Sequence, residues 1–154
     1  MATIALDSGL VLGPIKAKDA EGALRYIAEH LVRLGYAKET YPDAVIAREQ
    51  EYPTGLPTNG AGVAIPHCDA DHVIKPAIAV CTLSSPVTFG VMGEKDATVQ
   101  VDIILMLAIN DPTSQLDVLR RVSLMVQHAK TLNALKSAPC KEEVMRILRQ
   151  VFPA

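Results

Sequence analysis

Residues 62–72, "GVAIPHCDADH", crowd chemistry-bearing side chains into a short segment: His67, Cys68, Asp69, Asp71 and His72 follow a brief apolar run that ends on Pro66. Three chemistries use such side chains. Imidazole, thiolate and carboxylate are all metal ligands. A cysteine beside a histidine suggests an activated thiol. A histidine can also be the nucleophile itself. Its neutral ring predominates above an ordinary pKa of about 6.5, and its unprotonated nitrogen can take up a phosphoryl group and pass it on.

Spacing weighs on the first two. No CxxC or HExxH pattern is present, and the remaining histidines, His30 and His128, lie far along the chain in segments with helical periodicity. A closed tetrahedral site is therefore not expected, and neither a metal nor a small cofactor is called for. His67 and Cys68 are adjacent in an extended segment, so their side chains point to opposite faces and cannot easily share a proton. Cys68, Cys81 and Cys140 read as small packing residues. A nucleophilic histidine would need one free ring nitrogen, an acceptor fixing the other, and donors for the phosphoryl oxygens. The bland alternative is a surface histidine on a loop.

The elements that must position this segment are legible from periodicity. Ala20, Leu24, Ile27, Leu31 and Leu34 predict a helix over 19–34, opened by Asp19 and closed by Gly35. A second helix is expected over 41–51, with Pro42 in its first turn and Thr40 and Asp43 resembling a capping box. The stretch "YPTGLPTNGAG" reads as a loop and residues 63–65 as a short strand. Residues 77–83 read as a buried strand, "SSPVTFG" as a turn plus a short strand, and 99–109 as a long strand covered on both faces. Asp111 and Pro112 should open a helix whose buried stripe is Leu116, Leu119, Val122 and Val126. Helices near 130–136 and 139–151 follow, the last with Val144, Ile147, Leu148 and Val151 inward. The expected fold class is α/β: a mixed β-sheet flanked by helices, in one domain spanning 1–154.

Composition narrows the function classes. The chain has 154 residues, 49% of them hydrophobic, which suits a packed core. A net charge of -2 without charge runs argues against nucleic-acid binding. Three cysteines without paired spacing suit a reducing, cytoplasmic setting. The N-terminal residues lack a basic n-region, so no secretory signal is expected. The longest apolar run is too short to span a bilayer.

The segment "REQEYPTGLPTNGAGVAIPH" resembles the signature of the type-2 enzyme IIA domains (fructose, mannitol and galactitol type) of the bacterial phosphoenolpyruvate-dependent sugar phosphotransferase system. The family pattern R-E-x-x-x-x-T-G followed by G-[IV]-A-I-P-H is matched by Arg48, Glu49, Thr54 and Gly55, then by Gly62, Ala64, Ile65, Pro66 and His67. The likeness extends over nearly the whole chain. The "YPTGLPT" wording and residues 91–93, "VMG", look most like the galactitol branch.

The resemblance implies a type-2 enzyme IIA sandwich and a phosphocarrier. His67 would take a phosphoryl group from the carrier HPr and hand it to a IIB component, serving uptake of a sugar or sugar alcohol through a membrane IIC permease. It implies a His67 exposed at the strand end, reachable by two partner proteins. Arg48 would pair with phosphoryl oxygens, the alternative being a surface ion pair with Glu49 or Glu51. Thr54 would donate its hydroxyl to the same group or cap the loop. Fructose- and mannitol-type members carry a second histidine early in the helix after the long strand. Here Gln115 falls at that place, or Ser114 if the register is off by one, so a neutral donor replaces an imidazole. A regulatory interaction module of the same fold is the other reading.

Overall fold

The computed structural model describes residues 4–152. Strand β1 (Val11–Ile15) is followed by helices α1 (Ala20–Arg33) and α2 (Tyr41–Glu51). Then come two short strands, β2 (Gly55–Leu56) and β3 (Val63–Ala64), and two long ones, β4 (Ala77–Val91) and β5 (Glu94–Ala108). Helices α3 (Pro112–Met125), α4 (Ala129–Ser137) and α5 (Lys141–Val151) complete the order.

The sheet is mixed and five-stranded. β4 and β5 form a long antiparallel hairpin, and β1 runs parallel to β4. β3 runs parallel to β5, and β2 joins β3 to the hairpin tip, where Gly55 faces Val91. Alternation along the hairpin divides the core. Ala79, Cys81, Ile104 and Met106 pack under α1 and α2, with Leu24, Ile27 and Val45. Ile78, Val80, Ile103 and Leu105 face the other way, against Val122, Leu132 and Leu148 of α3, α4 and α5. Both faces are covered, which is why the two strands read as nearly unbroken apolar runs. Each fully buried aliphatic side chain contributes about 1.5–3 kcal/mol relative to exposure.

Several expectations needed correction. β1 was not anticipated, because "VLGPI" contains a glycine and a proline. β2 lies inside the expected loop, and its two residues are too few to show a period. β4 is one strand through residue 91, with register shifts between Thr82 and Val87 and between Gly90 and Val91. Asp19 caps α1 as expected, accepting from the Gly22 N–H. Thr40 does not cap α2; its hydroxyl meets Nδ1 of His72 at 2.8 Å, so no capping box forms. In α3 the buried stripe is Ser114, Val118, Val122 and Met125, whereas Leu116 is 60% exposed. Ser114 takes the buried position because Asp111, the helix cap, accepts from both its N–H and its hydroxyl. That satisfies a polar side chain which the periodicity had assigned to the surface.

Candidate functional site

β3 does not stop where its ladder ends. Val63 and Ala64 pair with Ile103 and Ile104, and His67 pairs with Leu107 in the same register. Pro66 cannot donate, but its carbonyl accepts the Leu107 N–H at 2.9 Å. The residue after the proline is therefore held on β5. Parity then separates the neighbours: Cys68 joins Ala64 in the core beneath α1 and α2, and His67 takes the opposite face. Burial pushes the Cys68 thiol up to about 12, so it stays protonated near neutrality and is no nucleophile. Asp69 and Asp71 are exposed. Among the described residues no group of three or more His, Cys, Asp or Glu side chains converges as a metal site would require.

Gly62 makes the approach of this segment to β5 possible. A Cβ there would stand 1.9 Å from the Gln100 carbonyl oxygen, so no other residue fits this backbone. The Gly62 carbonyl accepts from both Asp102 and Ile103 N–H groups. On its other side, Asp102 accepts from the Gly62 N–H and pairs with Lys136 of α4 at 3.2 Å. Ala61 N–H donates to Asn133 of the same helix.

His67 is much less open than the sequence suggests: only 8% of its surface is exposed. The expected exposed histidine is corrected, because the continued pairing with β5 draws the ring into the wall of the fold. Its Nδ1 lies 2.8 Å from the Ile65 carbonyl oxygen. A carbonyl only accepts, so Nδ1 carries the proton and Nε2 carries the free lone pair. Among the described residues, the fully enclosed side-chain N or O atoms without a hydrogen bond are Arg48 Nε and Asp102 Oδ1, and of the two Oδ1 still has the Lys136 ammonium at 3.2 Å. Among the described residues Nε2 of His67 has no hydrogen-bond partner. Burial lowers the His67 pKa, the Ile65 carbonyl raises it, and the Arg48 charge lowers it further, with a net shift downward.

Arg48 is half-buried near the end of α2. It makes no ion pair with Glu49, Glu51 or any other carboxylate among the described residues. Its guanidinium instead stands over the Tyr52 ring, 5.2 Å from the centroid, and Nε is enclosed without a partner. No direct contact of the ion-pair alternative is made, although the Arg48 charge still lowers the Glu49 pKa.

Thr54 is 3% exposed, and its hydroxyl donates to Glu49 Oε1 at 2.7 Å while its N–H donates to Oε2 at 2.7 Å. The hydroxyl oxygen also accepts the Ile65 N–H at 3.2 Å. The expectation that Thr54 donates to a phosphoryl group does not agree with this arrangement, since its only hydroxyl proton is committed to a carboxylate. Gln115 lies in the first turn of α3, half-buried, with no hydrogen bond to His67 or to any other described side chain. Ser114 is 1% exposed and bonded to Asp111.

The sequence left three neighbours without a role. Tyr52 sits four residues after Arg48, a spacing that does signal a stacked pair. Tyr41 is fully buried and donates its hydroxyl to the Leu107 carbonyl at 2.8 Å, holding the strand with which His67 pairs; nothing local reveals this. Glu49 belongs to the motif, but its burial could not be read from α2's periodicity.

A family model described as "Phosphoenolpyruvate-dependent sugar phosphotransferase system, EIIA 2" matches residues 5–151. The chain belongs to this family. It is 31% identical over 121 residues to the PTS system galactitol-specific EIIA component of Escherichia coli, covering 79% of this chain and 80% of that protein. It is also 29% identical over 143 residues to a nitrogen regulatory protein of Pseudomonas aeruginosa, covering 92% and 87%. In structure it resembles mannitol enzyme IIA from Escherichia coli, solved in complex with phosphorylated mannitol enzyme IIB: TM-score 0.79, 24% identity, 96% of this chain and 99% of that one. This enzyme IIA chain is therefore a phosphotransferase-system component with the mixed, helix-flanked sheet of its structural neighbours. No helix among the described residues is long and apolar enough to cross a membrane.

Proposed function

We propose that residues 1–154 act as one cytoplasmic domain that carries a phosphoryl group on Nε2 of His67. The group is taken from phospho-HPr and passed to a IIB component, which feeds sugar or sugar-alcohol uptake through a membrane IIC permease. The observation that carries this reading is the 2.8 Å contact between Nδ1 and the Ile65 carbonyl. With the proton held at Nδ1, the Nε2 lone pair attacks phosphorus. The donor's P–N bond breaks, and its electron pair stays on the donor's ring nitrogen. The phosphorylated ring keeps its Nδ1 proton and a positive charge, which the carbonyl stabilises. When the group moves on, the electron pair returns to Nε2 and neutral imidazole leaves. The proton never has to move.

Arg48 supplies charge. Its enclosed, unpartnered Nε is costly to leave unsatisfied, and a phosphoryl oxygen would satisfy it. The Tyr52 ring holds the guanidinium in place. The galactitol-specific relative supports a sugar-alcohol substrate. The nitrogen regulatory relative favours a second reading, in which a partner reads the phosphorylation state.

Incubation with phosphoenolpyruvate, enzyme I and HPr, followed by intact mass, tests the carrier role. One added phosphoryl group is expected on the wild type and none on His67→Ala. Uptake by His67→Ala would overturn it. Onward transfer to a IIB component separates transport from regulation.

A further inference from the structure

A chain of hydrogen bonds joins the buried carboxylate of Glu49 to the histidine ring. Glu49 is 8% exposed, and both its oxygens accept from Thr54, one from the N–H and one from the hydroxyl, each at 2.7 Å. Thr54 Oγ1, its proton committed to Glu49, accepts the Ile65 N–H at 3.2 Å, and the Thr54 carbonyl shares that N–H at the longer distance of 3.4 Å. The Ile65 carbonyl, on the other side of the same Cα, accepts from Nδ1 of His67 at 2.8 Å. Pro66 restricts the backbone between. Every donor in this run meets an acceptor only if Glu49 is ionised. The N–H groups can only donate, and the threonine hydroxyl must point at the carboxylate to leave its oxygen free for Ile65. Glu49 has no ion-pair partner among the described residues. Burial raises its pKa, while the two Thr54 bonds and the neighbouring Arg48 charge oppose that rise.

We infer that Glu49 is a positioning residue for phosphoryl transfer: through Thr54 it aims the Ile65 carbonyl that holds the His67 ring in its Nδ1–H tautomer. A buried carboxylate without a direct ion pair is expensive, and fold stability alone would be served better by an apolar residue. Both its bonds are to Thr54, whose hydroxyl oxygen in turn holds the N–H of Ile65, the residue whose carbonyl sets the ring. Outer groups of this kind fix tautomer and direction in histidine sites generally. The inference rests on the reading of His67 as phosphoryl acceptor.

The test uses the full chain and has two readouts. The first is the His67 tautomer in the unphosphorylated protein, from long-range proton–nitrogen NMR. It requires no transfer and so stands whether or not His67 is the acceptor. The second is the rate of uptake from phospho-HPr. Glu49→Gln replaces one of the two oxygens that the Thr54 donors use separately with an NH2 group, which cannot accept. It should bring in the Nε2–H tautomer and slow uptake about tenfold to a hundredfold, while the final extent of phosphorylation stays at one group. Thr54→Ser keeps both donors and should match the wild type in tautomer and rate; Thr54→Val loses the hydroxyl and should behave like Glu49→Gln. If Glu49→Gln does not fold, the Thr54 pair decides alone. A wild-type tautomer and rate in Thr54→Val, or in a folded Glu49→Gln, overturns the role of Glu49. Phosphorylation of His67→Ala overturns the acceptor reading instead.

Discussion

Nδ1 of His67 donates to the carbonyl of Ile65, two residues earlier in the same chain, across 2.8 Å. So short a loop makes the ring's orientation depend on the Ile65–Pro66 backbone rather than on a distant side chain. The first prediction follows. Phosphate should sit on Nε2, be labile in acid and survive alkali, as a phosphoramidate does. Nitrogen-15 NMR of the phosphorylated protein would assign it, and a phosphate on Nδ1 would contradict the geometry.

The second concerns pH. Burial and the Arg48 charge lower the His67 pKa below its ordinary 6.5. The folded protein then resists protonating His67 more than the unfolded chain does. Between the folded pKa and 6.5 the unfolded state binds more protons, so stability from this group is present above 6.5 and is lost as pH falls through the folded value. Transfer should follow the same ring, staying near its plateau just below 6.5 and declining only at lower pH. An NMR titration of His67 with a midpoint at or above 6.5 would refute this.

Arg48→Ala should slow phosphoryl uptake by about 10²–10³-fold, the usual effect of removing one preorganised charged donor. Circular dichroism should be unchanged, because Arg48 pairs with no carboxylate among the described residues. Arg48→Lys should recover only part of the rate, since a point charge replaces a fork of donors that also stacks on Tyr52. Equal rates for wild type and a well-folded Arg48→Ala would leave the guanidinium without a role.

Much of this site could be read from residues alone, for physical reasons that differ by residue. His67 and Cys68 should diverge, because an extended chain alternates its side chains, and Cys68 does turn into the core with Ala64. The long strand at 99–109 announced itself through its apolar run, and Asp111 and Asp19 through their place before helices. What escaped was set by tertiary contact. The low exposure of His67 comes from pairing with Leu107, forty positions away by 107 − 67. Thr54's hydroxyl was free in sequence terms and became committed only when α2 placed Glu49 beside it. Leu116, expected in the buried stripe, is exposed, and Ser114 is buried with its hydroxyl on the cap residue Asp111.

Gly62 offers a check on the register that carries His67. A methyl group there would collide with the Gln100 backbone at 1.9 Å, and backbone on both sides leaves no flexible neighbour to yield. Gly62→Ala should destabilise the fold by about 1–3 kcal/mol, the usual range for overpacking, and loosen the segment ahead of His67. Thermal unfolding and hydrogen exchange at Leu107 report both effects, since the Leu107 N–H is held by Pro66. A variant with an unchanged melting temperature would mean the close approach is not maintained in solution.

The last prediction concerns the place where fructose- and mannitol-type domains carry a second histidine. Of the two residues that can stand there, Ser114 is disqualified as a donor: its hydroxyl proton goes to Asp111 Oδ2 at 2.8 Å and it is 1% exposed. Gln115 remains, half-buried in the first turn of α3, with its amide unengaged by any described residue. α3 follows directly on β5, the strand that holds His67 through Leu107. An amide donates a neutral hydrogen bond, roughly half as strong as one from a cation. The pH profile of transfer should therefore show a single histidine-like step, that of His67. Gln115→Ala should slow transfer by about twofold to tenfold, the loss of one neutral hydrogen bond of about 0.5–1.5 kcal/mol. Gln115→His should add a second step near neutrality, with the rate rising on its acidic side, where the new imidazolium can hold a phosphoryl oxygen. A single step in Gln115→His, together with normal transfer by Gln115→Ala, would place residue 115 outside the site.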